Sequence, residues 1–117
     1  MKKVLIVDNS SYMRLFVKKI IEKGGPYEVS EAEGKYDALE RFEIEKPDIV
    51  ILDLNMSEFT MDGIDVLKEM KTKNPNANVI IMSAVGHQEV KDECLDLGAK
   101  AYIRKPINAK ELLSALE

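Results

Sequence analysis

Tryptophan is absent from this chain of 117 residues, and cysteine and histidine occur once each. The single Cys94 cannot close an internal disulfide, which suits a reducing cytosol, and a cytoplasmic location is expected. His87 has no second histidine, and no cysteine at metal-ligand spacing, so it reads as a surface residue at the start of a helix. No stretch approaches the roughly 20 apolar residues that span a bilayer, and the start MKKVLIV lacks the apolar core and cleavage site of a signal peptide. Membrane association is therefore not expected. Basic residues number 17 against 21 acidic ones, a net charge of −4, so no polycationic footprint for direct nucleic acid binding is present. Linkers, repeats and low-complexity segments are also missing, so residues 1–117 read as one domain. A domain of this size buries roughly two-thirds of the surface of its unfolded chain. The last helical pattern stops abruptly at Glu117, as in a chain that ends early.

What is present is a set of short, continuous apolar runs. Val4-Leu5-Ile6-Val7 ends in Asp8, Ile49-Val50-Ile51-Leu52 in Asp53, Val79-Ile80-Ile81-Met82 in Ser83, and Ala101-Tyr102-Ile103-Arg104 in Lys105-Pro106. Each run predicts a strand buried on both faces of a parallel sheet. A more polar segment, residues 27–32, predicts a strand at a sheet edge. Helical spacing alternates with these strands. Residues 10–23 place Met13, Phe16, Val17, Ile20 and Ile21 at that spacing, with Ser10 as N-cap and Gly24-Gly25-Pro26 as the stop. Residues 35–45 turn Ala38, Leu39 and Phe42 to one face, closed by Pro47. After a loop from Asn55 to Asp62, Ile64, Val66, Leu67 and Met70 mark a helix ended by Asn74-Pro75. Val90, Cys94 and Leu97 mark another over about 88–97, ended by Gly98, and a last one follows the N-cap Asn108 with Leu112, Leu113 and Leu116 inward. Five βα units in a row predict an α/β fold, a flavodoxin-like (βα)5 doubly wound parallel sheet of five strands in the order 2-1-3-4-5.

In an open α/β sheet the crevice that does chemistry lies beyond the carboxyl ends of the strands. Asp8, Asp53, Ser83 and Lys105 should therefore converge. Asp8 and Asp53 end neighbouring strands in this order, and like charges about 4 Å apart repel by roughly 4 kcal/mol at an effective dielectric of 20, so the pair implies a cation. Oxygen-only ligands favour Mg²⁺ or another hard divalent ion such as Mn²⁺. A carboxylate beside a divalent ion, a lysine and a hydroxyl is suited to holding a phosphoryl group on an aspartate.

Five blocks, Val7-Asp8-Asn9-Ser10, Leu52-Asp53-Leu54-Asn55-Met56, Met61-Asp62-Gly63, Met82-Ser83-Ala84 and Arg104-Lys105-Pro106, resemble the signature of the receiver domain of two-component response regulators. Chemotaxis-type, CheY-like single-domain receivers are the nearest sub-pattern, and the resemblance covers essentially the whole chain. It implies that Asp53 is the phosphoacceptor, taking the phosphoryl group from the phosphohistidine of a sensor histidine kinase. It implies that Asp8, Asp53 and the backbone carbonyl of Asn55 serve the metal, with Asn9 beside them. Ser83 and Lys105 would engage the phosphoryl oxygens, and Tyr102 would be an aromatic switch that turns inward when the hydroxyl moves. Ala84 and Pro106 would support the site, Pro106 standing where the family uses an X-Pro bond that is often cis. A downstream protein or output domain would then read the surface of the fourth helix, fifth strand and fifth helix. Three departures accompany the resemblance. Asn9 stands where a second acid is usual; Ser57 replaces a proline, with an apparent two-residue insertion before Met61; and Ser83 replaces the commoner threonine.

Other functions are weighed against this one. A degenerate receiver acting as a phosphorylation-independent interaction module would follow if Asn9 disabled the metal site, but Asp53, Lys105 and Ser83 all survive. An aspartyl-phosphate phosphatase of the haloacid dehalogenase type needs an acid two residues after the nucleophile, where this chain has Asn55; a switch and not an enzyme is expected. An FMN binder would want glycine in the phosphate loop, and Asn9-Ser10-Ser11-Tyr12-Met13 has none. Asp62 reads as a turn and helix-start residue, Cys94 as core, and Phe59 as packing back or contacting a partner.

Overall fold

Five strands and five helices alternate in the computed structural model, which describes residues 1–54, 62–84 and 86–117. They are β1 (Lys2–Val7), α1 (Ser11–Lys23), β2 (Tyr27–Ala32), α2 (Lys35–Glu45), β3 (Ile49–Asp53), α3 (Asp62–Lys73), β4 (Asn78–Ser83), α4 (Gln88–Asp96), β5 (Ala101–Arg104) and α5 (Ala109–Leu116). All strand pairs are parallel, and the order is β2-β1-β3-β4-β5, as the sequence predicts.

Alternation along each strand divides the core in two. Leu5, Val7, Val50, Leu52, Val79 and Ile81 face one way, against Ala38 and Phe42 of α2, Val66, Leu67 and Met70 of α3, and Cys94 of α4. Val4, Ile6, Ile49, Ile51, Ile80 and Met82 face the other way, against Val17, Ile20 and Ile21 of α1 and Leu112 and Leu116 of α5. Continuous apolar runs therefore arise because both faces of the central strands are covered, and every residue of β3 is buried. Burial of a large aliphatic side chain stabilises by about 1.5–3 kcal/mol, so this two-sided core dominates the fold's stability. The exception is β5. The sequence reads it as buried on both faces, but only Ile103 is fully buried, while Ala101 and Tyr102 are half-buried and Arg104 is exposed. As an edge strand it has one neighbour, and its outer flank is open.

The expected caps form. Ser10 Oγ accepts from the Met13 amide at 3.2 Å and Asn108 Oδ1 from the Glu111 amide at 3.1 Å, contacts worth about 1 kcal/mol each. Gly98 follows α4 at φ +102, a left-handed conformation that favours glycine. Burial pushes the Cys94 thiol up to about 11, with the charge of Glu93 adding to it, so this cysteine is inert packing and not a nucleophile. Among the described residues no helix is long and apolar enough to cross a membrane.

Candidate functional site

The carboxyl ends of β1, β3 and β4 and the segment after β5 meet on one side of the sheet. Asp53, the last residue of β3, is 3% exposed, and Asp8, directly after β1, is 1% exposed. Carboxylates this deep need charged or hydrogen-bonding partners, because an uncompensated buried charge costs several kcal/mol. Lys105 supplies one to both. Its Nζ lies 3.3 Å from Asp53 Oδ1 and 3.5 Å from Asp8 Oδ2, and its side chain is itself mostly covered. These distances are those of a loose bridge. One ammonium thus stands between two carboxylates, and the three groups carry a formal excess of one negative charge.

Local structure aims each group. Asp8 Oδ1 accepts from the Ser10 amide at 2.9 Å, an Asx turn that leaves Oδ2 for the lysine, while the Asp8 amide donates to the Ala32 carbonyl at 3.1 Å. Asp53 is fixed by the ladder of the central strand, which continues as the Leu54 amide donates to the Met82 carbonyl at 2.9 Å. Behind it sits Gly63, whose amide donates to the Leu54 carbonyl at 3.0 Å. A Cβ at residue 63 would lie 2.5 Å from Leu54 Cα and 2.7 Å from the Asp53 carbonyl oxygen, so only glycine lets α3 approach the acidic strand end this closely. Lys105 is held where its amide donates to the Ser83 carbonyl at 2.8 Å, and the Lys105-Pro106 bond is cis.

Asp8, Asp53 and Lys105 are therefore brought together as the sequence predicts. Ser83 ends β4, fully buried, and its carbonyl anchors Lys105. Ala84 and Pro106 are exposed beside it, and Asn9 is exposed next to Asp8. Tyr102 is half-buried on β5, packed partly against the α2–α3–α4 core. It also lines a cleft of about 250 Å³ with His87 and Lys91 at α4, Arg104, and Glu111 of α5. A larger cleft, about 540 Å³, lies between the C-terminal ends of α2 and α3, away from the carboxylates. Asn55 and Phe59 lie outside the described residues. Among the described residues no group of three or more His, Cys, Asp or Glu side chains could hold a metal. Two carboxylates nevertheless suit a hard divalent ion such as Mg²⁺, which keeps several waters and needs only one or two protein carboxylates.

Two contributors escape the sequence reading. Gly63 appears there only as part of a motif. Arg14 does not appear at all, yet it is 8% exposed and its Nη1 donates to the Asp8 carbonyl at 2.6 Å. Its signal is a charged residue at a buried position of α1, in step with Val17 and Ile21 at i+3 and i+7.

Comparison with known proteins identifies the family and the fold. The family model of the response regulator receiver domain matches residues 4–117. The chain is 44% identical over 116 residues to the chemotaxis protein CheY of Thermotoga maritima, covering 98% of this chain and 94% of that protein. It is 35% identical over 116 residues to sporulation initiation phosphotransferase F of Bacillus subtilis, covering 99% of this chain and 91% of that one. Among solved structures it resembles a chain of the CheX–CheY–BeF3–Mg complex of Borrelia burgdorferi. The TM-score there is 0.91 at 32% identity, over 98% of this chain and 86% of that one.

The ion-pair geometry makes a testable statement about stability. Lys105→Met leaves two buried carboxylates without their shared cation and should lower unfolding stability by about 1–3 kcal/mol, read by urea denaturation. In an Asp53→Asn background the same change should cost much less, because the repulsion it exposes is already relieved. Additive costs would contradict the shared-cation arrangement.

Proposed function

The chain belongs to the response regulator receiver domain family, and from that premise we propose that it is a phosphorylation-driven switch whose acceptor is Asp53. The observation that carries this reading is the Lys105 ammonium between the buried Asp8 and Asp53 carboxylates at the end of the central strand. An Asp53 oxygen attacks the phosphorus of a phosphohistidine on a sensor kinase. The P–O bond forms, the P–N bond breaks, and the imidazole leaves as the donor's neutral side chain once it has taken a proton. Asp8 and Asp53, with Asn9 and the backbone carbonyl of Asn55, would hold Mg²⁺ or Mn²⁺. When bound, such an ion neutralises charge on the phosphoryl oxygens. Lys105 then exchanges a carboxylate partner for phosphoryl oxygens, to which it is attracted more strongly as their charge rises. The Ser83 hydroxyl, buried at the end of β4, moves to donate to the same group.

The switch follows from the connection between β4 and β5. Ser83 and Arg104 are paired in register, and Tyr102 is two residues earlier on the same strand. Movement of Ser83 toward the phosphoryl group frees space that the Tyr102 ring can enter, which changes the cleft between α4, β5 and α5. A downstream partner protein or output domain reads that surface.

Incubation with a small-molecule phosphodonor and Mg²⁺, followed by intact mass, tests the acceptor. Asp53→Asn should abolish labelling, while Asp62→Asn and Asp65→Asn should leave it largely intact. Labelling retained in the Asp53 variant removes the assignment, and a wild-type protein that takes no label favours a phosphorylation-independent interaction module. With beryllofluoride as phosphoryl mimic, amide NMR shifts should extend across residues 83–90 and 101–107; shifts confined to the neighbours of Asp53 would leave an acceptor without a switch. Asn9 carries no charge where an acid would attract the cation, so Asn9→Asp should tighten Mg²⁺ binding in calorimetric titration. Equal or weaker binding would show that Asn9 is no charge deficit at the metal site.

A further inference from the structure

Arg14 is the one buried cation of α1, and its three partners lie at the ends of two strands, Asp8 after β1 and Glu31 and Glu33 at the end of β2. Nη1 donates to the Asp8 carbonyl at 2.6 Å, Nε donates to Glu31 Oε1 at 2.9 Å, and Nη2 lies 3.7 Å from Glu33 Oε1. Glu31 is on β2, in register opposite Ile6 of β1, and Glu33 follows that strand. The guanidinium is therefore a strut from the first turn of α1 to the ends of both β1 and β2. A rigid planar fork can serve such divergent acceptors at once, which a lysine ammonium on a flexible stem does poorly.

We propose that Arg14 is a positioning residue for the acidic pocket, acting through the Asp8–Asn9 peptide; this rests on the reading of the pocket as a divalent-cation and phosphoryl site. The Asp8 carbonyl and the Asn9 amide are two ends of one planar unit. Holding the first sets the second, and with it the direction in which both the Asp8 and Asn9 side chains leave the backbone. The Ser10 amide bond to Asp8 Oδ1 belongs to the same turn, so the strut and the Asx turn restrain the carboxylate from both sides. Burial matters too, since the Arg14 side chain is only 10% exposed and water competes little for the carbonyl. Glu31 and Glu33 balance the guanidinium charge on its far side. What reaches the pocket is then a geometric restraint more than a repulsive charge.

The sign of one substitution separates restraint from charge. Arg14→Gln removes a positive charge close to a cation site, so electrostatics alone predicts tighter Mg²⁺ binding. Loss of the strut predicts weaker binding, by roughly tenfold, the scale typical of residues that orient metal ligands. Mg²⁺ alone is titrated into the unphosphorylated protein by calorimetry, and circular dichroism establishes that each variant is folded at the temperature used. Arg14→Lys keeps the charge but not the fork, and its affinity should fall between wild type and Arg14→Gln. Unchanged or tighter binding in folded Arg14→Gln overturns the proposal. If that variant does not fold, Arg14→Lys decides: weaker binding supports the strut, and wild-type affinity overturns it. A wild-type protein that binds no Mg²⁺ overturns the divalent-site reading as well, whereas wild-type binding with unaltered variants overturns the role of Arg14 alone.

Discussion

A single ammonium shared by two buried carboxylates is the constraint on which the rest of this molecule depends. Asp8 and Asp53 are nearly inaccessible to water, and buried charge at that depth is costly unless partnered, as both are here by Lys105. The contacts at 3.3 and 3.5 Å are longer than those of an optimal charge-assisted bond. That looseness suits the exchange of partners proposed for Lys105. A tight, fully satisfied triad would be more stable and less able to accept a phosphoryl group.

The fold exists around that triad in a specific sense. Parallel order places the carboxyl ends of β1, β3 and β4 on one side, and two-sided burial makes those ends stiff. The backbone then closes in: Gly63 brings α3 against Asp53 and Leu54, the Ser83 carbonyl pins Lys105, and Arg14 ties α1 to Asp8 and β2. Each tie joins two different elements of the fold. In the proposed switch, a phosphoryl group at Asp53 would press on all of them together and so reach the half-buried Tyr102 on the edge strand.

Much of this was legible before any coordinates. Strand positions followed from short apolar runs rich in β-branched residues, helix starts from Ser10 and Asn108, and the pocket from acids and a lysine at run ends. The missed parts share a physical cause. The predicted order already puts Ala101-Tyr102-Ile103-Arg104 at a sheet edge, but burial of its faces depends on how much of each a helix covers, which the run by itself does not record. Arg14 drew no reading, because its partner Glu31 lies 17 residues away on β2 and meets it only after β1 and β2 pair. Gly63 matters for a distance between two backbones, which no side-chain pattern records.

Locating the phosphoryl group chemically tests the central claim most directly. An aspartyl phosphate is a mixed anhydride that borohydride reduces to an alcohol, converting the modified aspartate to homoserine. After phosphodonor treatment, reduction and proteolysis, peptide mass spectrometry should find homoserine at residue 53 and at no other acidic position. Homoserine at residue 8 or 62, or none in a protein that has taken up phosphate, would contradict the account.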